Sequence, residues 1–228
     1  MDNNEQRNPE WALAILNRVY DKALYGFEPV EEMAQEYLRR YRTVEDAAKA
    51  MIRNQLIKTT VSGSLSGLGG FAVMLASVPA NIAHVTYVQI RMLACLAYMG
   101  GYDPRSDEVR TLVFACWAGL SVGSKVIRPA AIKVGEKVFI NLIKHIPGKV
   151  LKQINRIIGM RFITRFGSKG VINLGKAVPF VGAAIGGGLD FASTKLIARQ
   201  GYANFIENNF NVGEHIEDFE TPESSDVE

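Results

Sequence analysis

An uncharged stretch in the first half of the chain constrains the fold more than any other feature. The 32 residues from Thr59 to Ile90 contain no Asp, Glu, Lys or Arg. Pro79 lies inside this run, and proline lacks an amide hydrogen and disfavours helical geometry in the residue before it. The region from Lys58 to Gly101 therefore predicts an apolar helical hairpin that bends at residues 78–81.

Glycines recur at helical spacing in this hairpin and again late in the chain. Glycines on one helical face let a second backbone approach closely, in a membrane or in a protein core. The residues predicted to pack in this way are Gly63, Gly67 and Gly70 in the hairpin and Gly182 and Gly186 in a second apolar helix. That helix is expected to run from Val178-Pro179 to about Arg199. Gly201 is predicted to act only as a cap.

Helical periodicity continues through most of the remaining chain, and no alternating pattern indicates a strand. The predicted helices run from Pro9 to Leu24, from Pro29 to Arg40, from Thr43 to Lys58 and from about Asp107 to Ser124, with basic amphipathic helices over 129–145 and 149–166. Thr43 and Ser106 are the expected N-caps. The sequence therefore predicts an all-α protein, a single helical bundle with two glycine-rich apolar segments and basic amphipathic helices.

Charge is distributed unevenly along the chain. The formal net charge is +3, yet no Lys or Arg follows Arg199, and the eight acids beyond that residue leave the preceding body at +11. Residues 211–228 are predicted to be an acidic, disordered tail because they are polar and lack periodicity. Residues 1–8 are expected to be a flexible N-terminus, and residues 9–210 the helical domain.

The basic excess is concentrated between Lys125 and Lys176, where twelve cations accompany a single acid. Such a stretch attracts polyanions. Aromatic residues that could stack on bases are sparse there, so nucleic acid is not the expected partner. Basic amphipathic helices beside an apolar hairpin fit an anionic membrane surface better. The residues predicted to contact that surface are Lys133, Lys137, Lys144, Lys149, Lys152, Arg156, Arg161 and Arg165.

Polar residues interrupt the two apolar segments at positions that could meet inside the bundle. We predict that Arg91 forms a buried ion pair with Asp190, the only acid between Glu136 and Glu207. Two interpretations of this pair remain open, because it could fix helix register or belong to a polar pocket that holds a ligand. The candidate pocket residues are Asn81, His84, Tyr87, Arg91, Asp190 and Thr194.

The sequence gives little support for catalysis, a metal or a cofactor, and none is assigned. The three histidines are far apart, so no metal site is predicted. Gly170 to Lys176 resembles a phosphate-binding loop, but Ala177 follows where a Ser or Thr is required. Cys95 and Cys116 lie in apolar helical runs and are expected to be buried free thiols.

Two long stretches together resemble the EcsC family, bacterial proteins named for a component encoded beside an ABC exporter. They are Gly63 to Asp103 (GSLSGLGGFAVMLASVPANIAHVTYVQIRMLACLAYMGGYD) and Ile146 to Asp190 (IPGKVLKQINRIIGMRFITRFGSKGVINLGKAVPFVGAAIGGGLD). The resemblance extends from about Trp11 to Phe210. It implies an all-α protein associated with the cytoplasmic side of a membrane, and it carries no agreed catalytic residues.

The favoured hypothesis is a membrane-associated protein that binds anionic lipid or another amphiphile at the inner face of the membrane. One alternative is an accessory subunit that regulates a membrane transporter or export system. A second is an enzyme that acts on a lipid-like substrate through His84, Tyr87, Arg91 and Asp190. A complete transmembrane hairpin is disfavoured because Arg91 would lie near the bilayer centre, at a cost of ~2.5–3.5 kcal/mol.

Overall fold

The computed structural model describes residues 9–26, 28–60, 80–121, 152, 155–160, 182–208 and 214–215, with the side chains of 58–60, 80–83, 120–121, 182–190 and 214–215 outside the description. Its helices are α1 (Pro9–Tyr25), α2 (Val30–Arg40), α3 (Val44–Thr60), α4 (Ala80–Met99), α5 (Asp107–Trp117) and α6 (Gly182–Phe205). Residues 155–160 are also helical. Strands β1 (Leu120–Ser121) and β2 (Glu214–His215) pair in parallel, with Leu120 opposite Glu214. The predicted all-α class is confirmed.

Local sequence signals explain where several helices begin. The Thr43 Oγ1 atom accepts a hydrogen bond from the Asp46 amide at 3.1 Å, just before α3. The Ser106 Oγ atom accepts one from the Val109 amide at 3.3 Å, at the start of α5. Each bond satisfies an amide that has no partner within the first helical turn. Both predicted N-caps are therefore confirmed.

Two predicted helix ends were wrong. Helix α5 stops at Trp117 and not at Ser124, because Gly119 adopts a left-handed backbone with φ 77°. Glycine tolerates this conformation without a steric penalty and commonly ends helices. Helix α6 continues past Arg199 to Phe205. Gly201 consequently lies inside the helix and not at its cap.

Helix α4 is the centre of the described bundle. It packs against each of the other five described helices. Every residue from Val88 to Ala97 is buried, and a helix that is enclosed on all sides is expected to be apolar all round. This enclosure accounts for the uncharged sequence of the part of α4 before Arg91.

The structure describes only part of the predicted hairpin. Its downstream arm is α4, whereas residues 61–79, with Gly63, Gly67 and Gly70, lie outside the described part of the chain. Within the described residues, no helix combines the length and the apolarity needed to cross a membrane.

Contacts between side chains define the directions of the helices around α4. The pair Gln89–Thr194 and the pair Gly100–Phe205 are each separated by 105 residues, so α4 and α6 run parallel. Helix α2 is also parallel to α4, because Glu28 contacts Arg91 and Gln35 contacts Tyr98. Only residues 41–43 connect α2 to α3, and a connection this short makes packed helices antiparallel.

Three helix termini consequently meet at one end of the bundle, which we call the Thr60 end. Helix α3 ends there at Thr60, and α4 and α6 begin there at Ala80 and Gly182. The chain leaves the described bundle at Thr60 and returns at Ala80 at this same end.

Candidate functional site

A buried polar cluster joins α4, α5 and α6. Gln89 is only 1% exposed, and its Nε2 atom donates to Thr194 Oγ1 at 2.9 Å and to Ser193 Oγ at 3.2 Å. Its Oε1 atom accepts a hydrogen bond from Trp117 Nε1 at 2.9 Å. We call these four residues the Gln89 cluster. Its hydrogen bonds hold three helices in register. It contains no group that titrates near neutral pH, so it offers no acid or base for catalysis.

Arg91 lies on a different side of α4 and pairs with Glu28. Its Nη2 atom donates to Glu28 Oε2 at 2.6 Å and to the Glu28 backbone carbonyl at 2.9 Å. The Arg91 side chain is 8% exposed and the Glu28 side chain 46%. The Arg91 Nε atom has no partner among the described residues. The buried cation is thus held by a carboxylate that reaches it from the surface.

The structure pairs Arg91 with Glu28, and the predicted pairing with Asp190 stays a prediction. The parallel register of α4 and α6 places position 190 level with position 85, about 9 Å along the axis from Arg91 at ~1.5 Å per residue. Glu28 comes from the connection between α1 and α2, and the sequence argument considered only acids within the apolar helices. The side chain of Asp190 lies outside the described side chains.

Tyr87 and Cys95 lie one helical turn before and after Arg91. Burial raises the pKa of the Tyr87 hydroxyl, while Arg91 lowers it and Glu28 raises it further. Burial also raises the pKa of the Cys95 thiol, again with opposing contributions from Arg91 and Glu28. Both groups stay protonated at neutral pH. Neither is an activated nucleophile, because activation requires a lowered pKa.

The candidate pocket residues do not form one site in the described structure. Thr194 belongs to the Gln89 cluster, whereas Arg91 faces Glu28 and influences Tyr87. His84 is half-buried on the same helix. The side chains of Asn81 and Asp190 lie outside the description. Among the described residues there is also no group of three or more His, Cys, Asp and Glu that could hold a metal ion.

A surface cleft of about 390 Å³ lies beside the Arg91 partner. It is lined by Glu28, Glu32, Met33, Gln35, Glu36 and Arg39. Its three carboxylates are balanced by Arg39 and by the ion pairs of Glu28 with Arg91 and of Glu36 with Arg40, so the cleft has no excess of cations. It is therefore poorly suited to a phosphate or another anionic headgroup.

Two of the eight predicted membrane-contacting cations are described, and both are exposed. Lys152 and Arg156 are one helical turn apart, and Met160, one turn further, is 48% exposed. Ile158 and Gly159 are buried on the other side, where a Cβ atom on Gly159 would lie 2.5 Å from the Pro9 carbonyl oxygen. This close contact with α1 leaves the cations facing outward. The other six lie outside the described residues.

Close helix packing occurs at Gly201, which was not among the predicted packing glycines. A Cβ atom on Gly201 would lie 2.4 Å from Leu93 Cδ2 and 3.0 Å from Leu96 Cδ1. The prediction that Gly201 is only a cap was therefore wrong. Gly182 and Gly186 lie in α6 as predicted, and their surroundings lie outside the description. The glycine contact between α4 and α6 is thus observed at the far end of both helices.

A double-mutant cycle should detect coupling between Arg91 and Glu28. Arg91→Met and Glu28→Gln should show a coupling free energy of about 1 kcal/mol, because one partner is buried while the other is half-exposed and screened. The same cycle with Asp190→Asn should give effects that add, since sites this far apart rarely interact. The measurement is urea unfolding of the four proteins in each cycle. Coupling of Arg91 to Asp190 and not to Glu28 would contradict the observed pairing.

The described part of the chain defines a class: a helical bundle organised around one buried central helix, with a basic, outward-facing helical segment. Comparison with protein families gives the same result as the resemblance noted above. The model of the EcsC protein family matches residues 10–205, and the chain belongs to this family.

A search of curated proteins found one relative of unknown function. The uncharacterized protein YdbA of Bacillus subtilis (strain 168) is 27% identical over 90 residues, which cover 40% of this chain and 30% of YdbA. The match therefore spans about a third of that relative. No solved structure matches the chain.

Proposed function

We propose that this protein binds the anionic surface of a membrane, at its cytoplasmic face, through the basic helical segments between Lys125 and Lys176. The supporting observation is the outward orientation of Lys152 and Arg156 on a helix whose other side is buried against α1. Helices that combine cations with apolar side chains on a membrane-facing surface lie in the headgroup region of anionic bilayers.

The geometry fits such a surface in two respects. Lys152, Arg156 and Met160 follow one another at four-residue spacing, so they share one helical face. A cation near an anionic membrane contributes ~1 kcal/mol to binding, and an exposed methionine adds apolar contact at the same depth. Because Gly159 packs directly on Pro9, the segment is held against the start of α1.

Binding to vesicles should depend on these cations. The parent protein should sediment with vesicles of phosphatidylglycerol and phosphatidylcholine, should bind pure phosphatidylcholine weakly, and should dissociate as salt screens the charges. Replacing Lys152 and Arg156 with Gln should weaken binding about 30-fold at low salt, from about fivefold per cation. Adding Lys144→Gln and Lys149→Gln should weaken it further.

The matched control removes the same charge elsewhere. Arg18 and Lys22 are exposed, lie one helical turn apart on α1, and can be replaced with Gln as a pair. That variant should bind like the parent apart from a small general charge effect. Equal binding by the parent to charged and uncharged vesicles, or equal loss in both double variants, would reject the basic segment as the membrane-binding element.

A further inference from the structure

We infer that the outer surface of α3 and α6 contacts the membrane, with exposed apolar side chains that enter the bilayer between cations that bind lipid phosphates. This inference rests on the proposed membrane association but not on the basic segment, which packs on the start of α1 on another side of the bundle, so the tests below decide which of the two surfaces faces the bilayer. We call the outer surface of α3 and α6 the α3/α6 surface. Its members are Arg53, Ile57, Phe191, Lys195, Leu196 and Arg199.

Large apolar side chains on this surface are unusually exposed. Leu196 is 68% exposed, Ile57 56% and Phe191 38%. Isolated exposed apolar residues are common, but several at one place are typical of an interaction site. The described core does not need these three side chains, since α6 packs on α4 through Thr194, Ile197 and Gly201 on its other side.

The exposed apolar residues lie at the same level of the bundle. The Lys49 ammonium lies 5.7 Å from the centre of the Tyr202 ring, which aligns α3 with α6. Ile57 is eight residues beyond Lys49, and Leu196 is six residues before Tyr202. Because the two helices are antiparallel, these displacements of about 12 and 9 Å run in the same direction. Ile57 and Leu196 therefore lie within about 3 Å of each other along the bundle axis.

Cations of the same two helices accompany these apolar side chains. Arg53, Lys195 and Arg199 are exposed, and none of them forms an ion pair with another described residue. The sequence has no Asp or Glu from 47 to 60 or from 191 to 206. A surface with three cations, no acid and exposed apolar side chains is complementary to anionic headgroups above acyl chains.

The position of the surface supports the same occupant. Ile57 is two residues before the uncharged run that starts at Thr59. The described chain leaves α3 at Thr60 and returns at Ala80, both at the Thr60 end of the bundle. A membrane in contact with the α3/α6 surface is therefore adjacent to the point from which the most apolar part of the sequence departs. The opposite end of α3 carries the exposed acids Glu45 and Asp46, which an anionic surface would repel.

The first test compares two triple variants on vesicles of phosphatidylglycerol and phosphatidylcholine. The combination Arg53→Gln, Lys195→Gln and Arg199→Gln should weaken binding on the order of 100-fold, from about fivefold per cation. The control combination Arg18→Gln, Lys22→Gln and Arg42→Gln removes the same charge from exposed positions outside the surface. If both triple variants bind equally well, the α3/α6 surface is not a membrane contact.

The second test asks whether Leu196 enters the bilayer. Leu196→Cys is labelled with an environment-sensitive fluorophore, and Tyr25→Cys, at a position that is 62% exposed, is the control. The native Cys95 and Cys116 thiols are buried and burial raises their pKa, so labelling is confined to the introduced cysteine. Anionic vesicles should shift the emission of the label at 196 to the blue and leave that at 25 unchanged. Equal responses at both positions would overturn the inference.

The two proposals fail in different ways. If the parent protein does not bind anionic vesicles, the membrane function itself is wrong. If the parent binds and the Lys152 and Arg156 variant is weakened, but neither the triple variant nor the label at 196 responds, the function stands and the α3/α6 surface is rejected.

Discussion

Gly100→Ala should destabilise the fold by about 3 kcal/mol or more, one of the two largest effects expected in this chain. A Cβ atom at this position would lie 2.0 Å from the Phe205 carbonyl oxygen and 3.2 Å from the Tyr102 ring. The first neighbour is backbone at the end of α6, which cannot rotate away as a side chain can. The end of α4 would have to separate from the end of α6.

Gly101→Ala is the matched control because it changes the adjacent glycine for a different reason. Gly101 has φ +83°, and no atom lies within 4 Å of its added Cβ. Its cost should be ~1–2 kcal/mol, the penalty of the left-handed region for a residue with a Cβ. The measurement is the unfolding free energy from urea titration of the parent and both variants. If the two substitutions cost the same, the contact with Phe205 does not limit the approach of the helices.

These two glycines show which part of the fold the sequence could predict. The break after α4 was evident from Gly100 to Pro104, and it is local. Gly101 donates its amide to Tyr98 O at 3.0 Å, and Tyr102 donates to Ala97 O at 3.0 Å, which together end a helix at a left-handed glycine. The contact of Gly100 with Phe205 joins positions 105 residues apart, and no local pattern encodes it.

The same distinction explains the outcome for Arg91. Its burial was predictable, since it interrupts an apolar helix. Its partner was not, because Glu28 lies in a short connection that resembles an ordinary exposed turn in the sequence. The nearest acid in the apolar helices, Asp190, was a reasonable choice only if both helices presented those positions to each other. The register of α4 against α6 decides this, and it depends on side chains such as Gln89 and Thr194.

The exposed residues of the basic segment and of the α3/α6 surface also differ in how well the sequence predicts them. Cations are nearly always exposed, so the outward orientation of Lys152 and Arg156 could be predicted from composition and periodicity. The exposure of Leu196 and Ile57 could not, because a sequence argument places large apolar residues in the core by default. An exposed leucine is informative for that reason, and only the packing of α3 and α6 identifies it.

Gln89→Leu should destabilise the protein by about 2–4 kcal/mol, although the side chains are similar in volume. The substitution removes the acceptor for the buried Trp117 Nε1 and the donor to the buried Thr194 and the half-buried Ser193. Gln55→Leu is the matched control. Gln55 is equally buried, at 1% exposure, but its described hydrogen bond is to Met33 Sδ at 3.6 Å, a weak acceptor. Gln55→Leu should therefore change stability by less than about 1 kcal/mol.

A cycle with Thr194→Val separates the hydrogen bonds of the Gln89 cluster from the packing of its members. Thr194→Val alone should cost about 1–2 kcal/mol, because Gln89 Nε2 keeps its bond to Ser193. In the double variant neither changed side chain leaves an unpaired polar group opposite the other. The total loss of unfolding free energy should therefore be about 1 kcal/mol smaller than the sum of the single losses. Urea unfolding followed by tryptophan fluorescence measures all four proteins. Strict additivity would mean that the 2.9 Å contact between Gln89 and Thr194 contributes nothing to the alignment of α4 with α6. A coupling of the expected size would show that this hydrogen bond helps to hold α6 on α4 through Thr194, which lies on a different side of α6 from the exposed Lys195, Leu196 and Arg199.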